Sequence, residues 1–219
     1  MDFEFIRAYI PLYAEAAGMT LRISFLGILL STAIGLLCSL VKIFKIPVLK
    51  SIVNGYIELS RNTPLLIQLF FLYFGLPKIG IVLSSESCAV TGLTFLGGSY
   101  MAEAFRTGIE QVPVIQSESG LSLGLTKWQV FRHIILPQAV TTSIPVFCAN
   151  IIFLIKETSV FSAVALADLM FVAKDLIGIY YKTDEALLML VAAYLIILLP
   201  ISLLCSWIER RVRYAEFGN

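Results

Sequence analysis

Tyr100, Glu103 and Thr107 recur at i, i+3 and i+7, a spacing that gathers them on one helix face, with Arg106 one turn from Glu103. A carboxylate and a guanidinium in a mostly apolar stretch are complementary to an ammonium and a carboxylate, so the chemistry they could perform is binding. Asn150 stands alone between "PVFCA" and "IIFLI", and Gln68 lies inside another apolar run. A neutral amide both donates and accepts without the cost of burying a lone charge. Each of these residues also has a structural reading: Glu103 and Arg106 as an ion pair, Asn150 and Gln68 as hydrogen-bonded links between helices. Bond-making chemistry has no comparable basis. The sole histidine, His133, lies beside Arg132, no carboxylates pair within the apolar runs, and Cys38, Cys88, Cys148 and Cys205 are scattered without a CxxC spacing.

The elements that must position these residues are membrane spans. Of 219 residues, 58% are hydrophobic and 14% charged, with a mean hydropathy of +0.89, against roughly 45–50% and 25% in a soluble domain. A net charge of +1 gives no sign of nucleic-acid binding. A bilayer core about 30 Å thick needs about 20 apolar helical residues. Charge-poor windows then predict an all-α polytopic membrane protein of about five transmembrane helices, near residues 18–43, 56–77, 87–111, 134–157 and 185–208, in a single domain over residues 1–219. An N-terminus outside and a C-terminus in the cytoplasm place Lys42, Lys45, Lys50, Arg61, Arg106, Lys127, Arg132, Arg210, Arg211 and Arg213 inside. Only Arg7, Arg22, Lys78, Lys156, Lys174 and Lys182 then lie outside, as the positive-inside rule requires.

No basic n-region precedes the first apolar run, so the first helix is expected to stay in the mature chain. Residues 1–17, with Phe3, Phe5, Tyr9 and Tyr13, read as a separate interfacial helix on the outer leaflet. Cys88 is expected in the outer loop between the second and third spans, the other cysteines in the apolar interior. The connection from about 158 to 184 is too interrupted to span. It reads as a partly inserted segment or as a plain surface loop with one amphipathic helix. Five helices barely enclose a path for anything larger than an ion, so transport implies an oligomer.

The connection 112–133 is unexpectedly ordered for a loop. "QSESGLSL" (116–123) has a polar and an apolar side, as expected at an interface. Gly124 suits the left-handed C′ position that ends a helix, and Thr126 with Gln129 forms a T-x-x-Q capping box that starts the next. "KWQVFRHIIL" then runs into Pro137. A helix, a glycine hinge and a second helix tied to the fourth span would transmit the push of a soluble partner. The alternative is a membrane-surface helix with no partner.

At this point the sequence resembles a family. Glu118-Ser119-Gly120, then Gly124, then "IILP" ending at Leu136-Pro137 is similar to the EAA loop of ATP-binding-cassette importer permeases, with E-S-G where the pattern has E-A-A. "ELSRNTPLLIQ" (58–68), "YMAEAFRTGI" (100–109), "KETS" from Lys156 and "ADL" from Ala167 resemble the polar amino acid branch, in order along almost the whole chain. Gly120 weakens a helix by about 1 kcal/mol relative to Ala.

The resemblance implies the transmembrane permease subunit of an ATP-driven amino acid importer in the bacterial cytoplasmic (inner) membrane. Glu118, Ser119, Gly120, Gly124, Leu136 and Pro137 would couple it to ATP-binding-cassette ATPase subunits in two copies. The chain has no G-x-x-x-x-G-K-[ST], so ATP and Mg belong on that partner and this chain binds no cofactor. A second permease (identical or a paralogue), an extracytoplasmic solute-binding protein and membrane lipid complete the partners. Tyr100, Glu103, Arg106, Asn150 and Gln68 are the candidate substrate residues. Lys156 with Glu157 is an ion pair that could close an outer gate, or a headgroup anchor. The alternatives are a secondary transporter driven by an ion gradient, disfavoured by the absence of an internal repeat, and a membrane-embedded enzyme.

Overall fold

The computed structural model describes residues 1–44 and 46–217, with side chains through Val212. Lys45 and the Arg213 side chain, both counted in the charge balance above, lie outside the described set. Every regular element among the described residues is helical: α1 (Phe3–Ile43), α2 (Pro47–Arg61), α3 (Leu65–Phe70), α4 (Ser85–Glu110), α5 (Val114–Ser122), α6 (Lys127–Val130), α7 (Leu136–Glu157), α8 (Leu169–Tyr180) and α9 (Thr183–Phe217). The protein is an all-α polytopic membrane protein. Three continuous helical stretches are long and apolar enough to cross a bilayer, Phe3–Ile43, Lys127–Val164 and Thr183–Val212, and Leu65–Ile79 is a shorter apolar one.

The expected interfacial helix is not separate. α1 runs unbroken through residues 3–43, with Asp2 as its N-cap accepting from the Phe5 amide at 3.1 Å. Pro11 sits within it without ending it. What holds this end is tertiary. The Asp2 amide donates to Glu185 at 2.8 Å, Lys182 reaches Asp2 at 3.1 Å, and the buried Tyr13 hydroxyl donates to the Ala186 carbonyl at 2.7 Å. These contacts pin the start of α1 to the start of α9.

α4 is the central element. It packs chiefly on α1 and α7, and Ala89, Leu93, Met101, Ala102 and Ala104 on it are fully buried. Small residues let the backbones approach, as in membrane helix pairs generally. A Cβ on Gly35 of α1 would stand 2.8 Å from the Ala102 amide nitrogen, so only glycine fits that crossing. Cys88 also lies in α4 and is fully buried, which corrects its expected place in a loop: the helix begins at Ser85, capped by Ser84, three residues before it. All four cysteines are free and buried.

The 158–184 connection is a 3-10 turn (Thr158–Val164) followed by α8, which packs against α1 and α9. Asp168 caps α8, accepting from the Phe171 amide at 2.9 Å, and is fully buried. Burial pushes its carboxyl up to about 6, with the backbone hydrogen bonds of Phe171 and Met170 pulling the other way.

Because the native cysteines are buried, added ones report sidedness. Val82 is 78% and Leu123 82% exposed, on connections expected to face opposite sides. A membrane-impermeant maleimide applied to intact spheroplasts is expected to label Val82→Cys and to reach Leu123→Cys only after lysis. The reverse pattern would invert the orientation.

Candidate functional site

The helix that begins at Pro47 stops at Arg61 because "NTP" follows: Pro64 has no amide hydrogen and forces Thr63 away from helical geometry. The chain resumes as α3 at Leu65. Two side chains cover the freed backbone: the Gln68 amide nitrogen donates to the Ser60 and Thr63 carbonyls at 3.1 and 3.0 Å, and the Thr63 hydroxyl donates to the Leu59 carbonyl at 2.8 Å. The Asn62 side chain adds a second bond, at 2.8 Å, to the Glu58 carbonyl that its own backbone amide already meets, and reaches the Glu58 carboxylate at 3.1 Å. The Ser60 hydroxyl lies 2.9 Å from the Phe95 carbonyl and 3.0 Å from the Ser99 hydroxyl, which fixes the end of α2 on α4.

This break opens a polar cavity. One compartment, about 330 Å³, is bounded by Arg61, Asn62, Thr63 and Pro64 at the break, Tyr100 of α4, and Phe153 and Glu157 of α7. A smaller one, about 230 Å³, shares Arg61, Asn62 and Tyr100 and adds Glu58 and Ile57. The Arg61 guanidinium lies 5.1 Å from the Tyr100 ring centroid, and that ring packs on Phe153 at 4.9 Å. A guanidinium over an aromatic face, with one carboxylate in each compartment, suits a small solute carrying both an ammonium and a carboxylate group.

Of the candidate substrate residues read from sequence, Tyr100 alone lines this cavity; Glu157, read as half of a gate or as an anchor, lines it too. Glu103 is engaged by Lys42 at 3.1 Å and by Arg106 at 2.8 Å, and Arg106 also pairs with Glu110. The Asn150 amide nitrogen donates to the Tyr100 carbonyl at 3.1 Å, a link between α7 and α4, and that of Gln68 is spent on the break. These hydrogen bonds take the two amides out of the polar wall. Arg61, Asn62 and Glu58, which also line the cavity, were not among the candidate substrate residues. The signal was the Asn-Thr-Pro turn signature inside what reads as one apolar span. Lys156 is exposed while Glu157 turns to the cavity, so the two form no pair among the described residues.

The 112–133 connection has the expected helical parts. α5 ends in a Schellman motif: the Leu125 amide donates to the Gly120 carbonyl at 3.2 Å, the Gly124 amide to that of Leu121 at 3.0 Å, and Gly124 has φ +82°. Both halves of the Thr126–Gln129 capping box are present. A π-helical turn, Phe131–Ile135, joins α6 to α7 through Leu136-Pro137. Gly120 is buried, and a Cβ there would stand 2.7 Å from Ile134 and 2.9 Å from Val130. The glycine that departs from E-A-A therefore seats α5 on the next turn. Glu118 and Ser119 remain exposed, and so do the apolar Val114, Ile115, Leu121, Leu123 and Trp128.

Residues 27–214 match the family described as "Binding-protein-dependent transport system inner membrane component". The chain belongs to this family. Similar proteins include the probable amino-acid ABC transporter permease protein PatM of Vibrio harveyi, 32% identical over 98% of this chain and 97% of that one. The glutamine transport system permease protein GlnP of Escherichia coli K12 is 32% identical over 97% of this chain and 98% of its own. A solved amino acid ABC transporter, crystallised with histidines, superposes with a TM-score of 0.92 at 33% identity, covering 96% of this chain and 99% of that one. The chain is the permease subunit of an ABC importer and not an enzyme. In such systems a partner ATPase hydrolyses ATP. Nothing among these relatives supports the ion-gradient reading.

The hinge can be tested locally. Gly124→Val leaves the space around the residue free but forces a β-branched side chain into the left-handed region, at about 1–2 kcal/mol. Amide hydrogen exchange across residues 114–130 is expected to accelerate severalfold in the variant. Unchanged protection would show that the glycine does not hold the turn.

Proposed function

We propose that this permease carries polar amino acids across the bacterial cytoplasmic membrane and that the solute passes through the cavity at the α2–α3 break. The observation that carries this reading is the arrangement of Arg61 over Tyr100 with Glu58 and Glu157 on the cavity walls. The guanidinium takes the α-carboxylate, a carboxylate takes the α-ammonium, and Asn62 and Tyr100 offer neutral partners to a polar side chain. The amino acid named for several relatives supports the class of solute.

Five spans, N-terminus outside, place this cavity between α2, α4 and α7 within the membrane. The exposed apolar surface of α5 and α6 is the docking face for the ATPase, with Glu118 and Ser119 at its polar edge and Gly120 and Gly124 setting its shape. Leu136-Pro137 begins α7, so displacement of the docking face moves the helix that carries Phe153 and Glu157. Two permeases, identical or paralogous, two ATPases and an extracytoplasmic solute-binding protein form the working assembly. ATP and Mg stay on the ATPases. Closure of the ATPase pair draws the two coupling loops together and turns the cavity outward, and hydrolysis returns it inward.

Uptake by cells expressing the complete transporter tests the site. Arg61→Gln removes the cation and leaves a shorter, neutral side chain that can still hydrogen-bond. Uptake of radiolabelled L-glutamine and a panel of the other standard L-amino acids is expected to fall at least tenfold, about 1.4 kcal/mol, at wild-type amounts of assembled protein. Wild-type uptake in Arg61→Gln would sink this assignment of the cavity.

A further inference from the structure

Glu103 has more cations than it needs. Lys42 of α1 bonds one carboxylate oxygen at 3.1 Å, Arg106 bonds the other at 2.8 Å, and Arg61 of α2 stands 4.0 Å from that second oxygen. Lys42 and Glu103 are mostly buried, at 20% and 18% side-chain exposure, while Arg61 is 42% exposed and lines both compartments of the cavity. Arg61 is thus the most loosely held of the three and the one that faces solute. Lys42 and Arg106 alone suffice to neutralise Glu103, so drawing Arg61 away does not strand a buried anion, which is what makes breaking buried pairs costly.

We propose that Glu103 is a positioning residue that acts through Arg61: it competes with the carboxylate of the bound amino acid for the same guanidinium. The inference rests on the reading that the cavity binds amino acids. In the empty cavity Arg61 leans toward Glu103 across the Tyr100 ring. An arriving carboxylate takes the guanidinium over, and Glu103 falls back on Lys42 and Arg106. When the solute leaves, Glu103 recovers Arg61. The affinity of the site is therefore set by the balance of charge around Glu103 as well as by the groups that touch solute, and occupancy of the cavity loosens the tie between α2 and α4 at that point.

The signs of the expected effects are unusual and separate this role from a structural one. Neutralising Glu103 frees Arg61, so Glu103→Gln should bind an amino acid more tightly, by at least fivefold. Removing Lys42 leaves Glu103 with one strong partner fewer, so Glu103 pulls harder on Arg61 and Lys42→Met should bind at least threefold more weakly. A residue that merely braces the helices would weaken binding when removed, whichever of the two it was. An α-carboxamide has no anionic group for Arg61 and should respond to neither substitution.

The measurement uses the whole transporter complex in lipid nanodiscs. The standard L-amino acids are screened by thermal shift, and Kd values are then measured for the strongest stabiliser and, by competition, for its α-carboxamide. Tighter binding of the acid by Glu103→Gln, weaker binding by Lys42→Met and an unmoved carboxamide support the proposal. Weaker or unchanged binding of the acid by Glu103→Gln, or an equal response of the carboxamide, overturns it. If Glu103→Gln does not assemble, Lys42→Met decides alone, since unchanged or tighter binding there is also contrary. Arg61→Gln keeps the two layers apart: no loss of affinity in that variant removes the site itself, whereas a loss there without tightening in Glu103→Gln removes only the competition.

Discussion

The carbonyls left open where α2 stops are the constraint on which the site depends. In a membrane protein irregular backbone survives only where protein groups cover it or a water-filled cavity meets it. The amide nitrogen of Gln68 reaches back from α3 to the Ser60 and Thr63 carbonyls, and the Thr63 hydroxyl covers that of Leu59. Without these donors the break at Asn62-Thr63-Pro64 would carry unpaired groups, each costing several kcal/mol in hydrocarbon. With them, Arg61 and Asn62 stay turned toward α4 and α7, and a cavity replaces what would be a continuous helix.

The far wall is fixed by packing. α4 is held between α1 and α7 by small residues and buried side chains, and the Tyr56 and Ser60 hydroxyls both bond its Phe95 carbonyl, at 2.7 and 2.9 Å. Asn150 ties α7 to the carbonyl of Tyr100, the residue whose ring carries Arg61. The amides at Gln68 and Asn150 thus serve the cavity from behind, by holding backbone, while charged groups face it. The same α7 begins just after the α5–α6 segment and ends at Glu157, so one helix spans the distance from that segment to the cavity wall.

Helical class, apolar spans and the ordered loop were legible because each has a local cause. Hydrophobic runs, the capping box of Thr126 and Gln129 and the left-handed Gly124 depend only on neighbours in sequence. The cavity was not legible, since it is made by a break whose stability comes from Gln68, a residue that alone reads as either ligand or link. Window averaging also merged α2 and α3 across "NTP", and the charge count set Arg61 at the cytoplasmic end of the expected span and not at a break within it. The continuity of α1 escaped for the opposite reason. Polar residues near its start look like an end of the span, and only tertiary partners, Glu185 and Lys182, show that the helix carries on through them. At Gly120, propensity pointed to a weakness where packing against Ile134 and Val130 needs the missing side chain.

The central claim is that the amino acid is held at the α2–α3 break. The most direct measurement is an experimental structure of the assembled transporter in lipid with its amino acid bound. The solute's carboxylate is expected within hydrogen-bonding distance of Arg61 and its ammonium facing Glu58 or Glu157, with Gln68 still bonded to Ser60 and Thr63. A solute held elsewhere in the bundle, with Arg61 remaining on Glu103, would contradict the account.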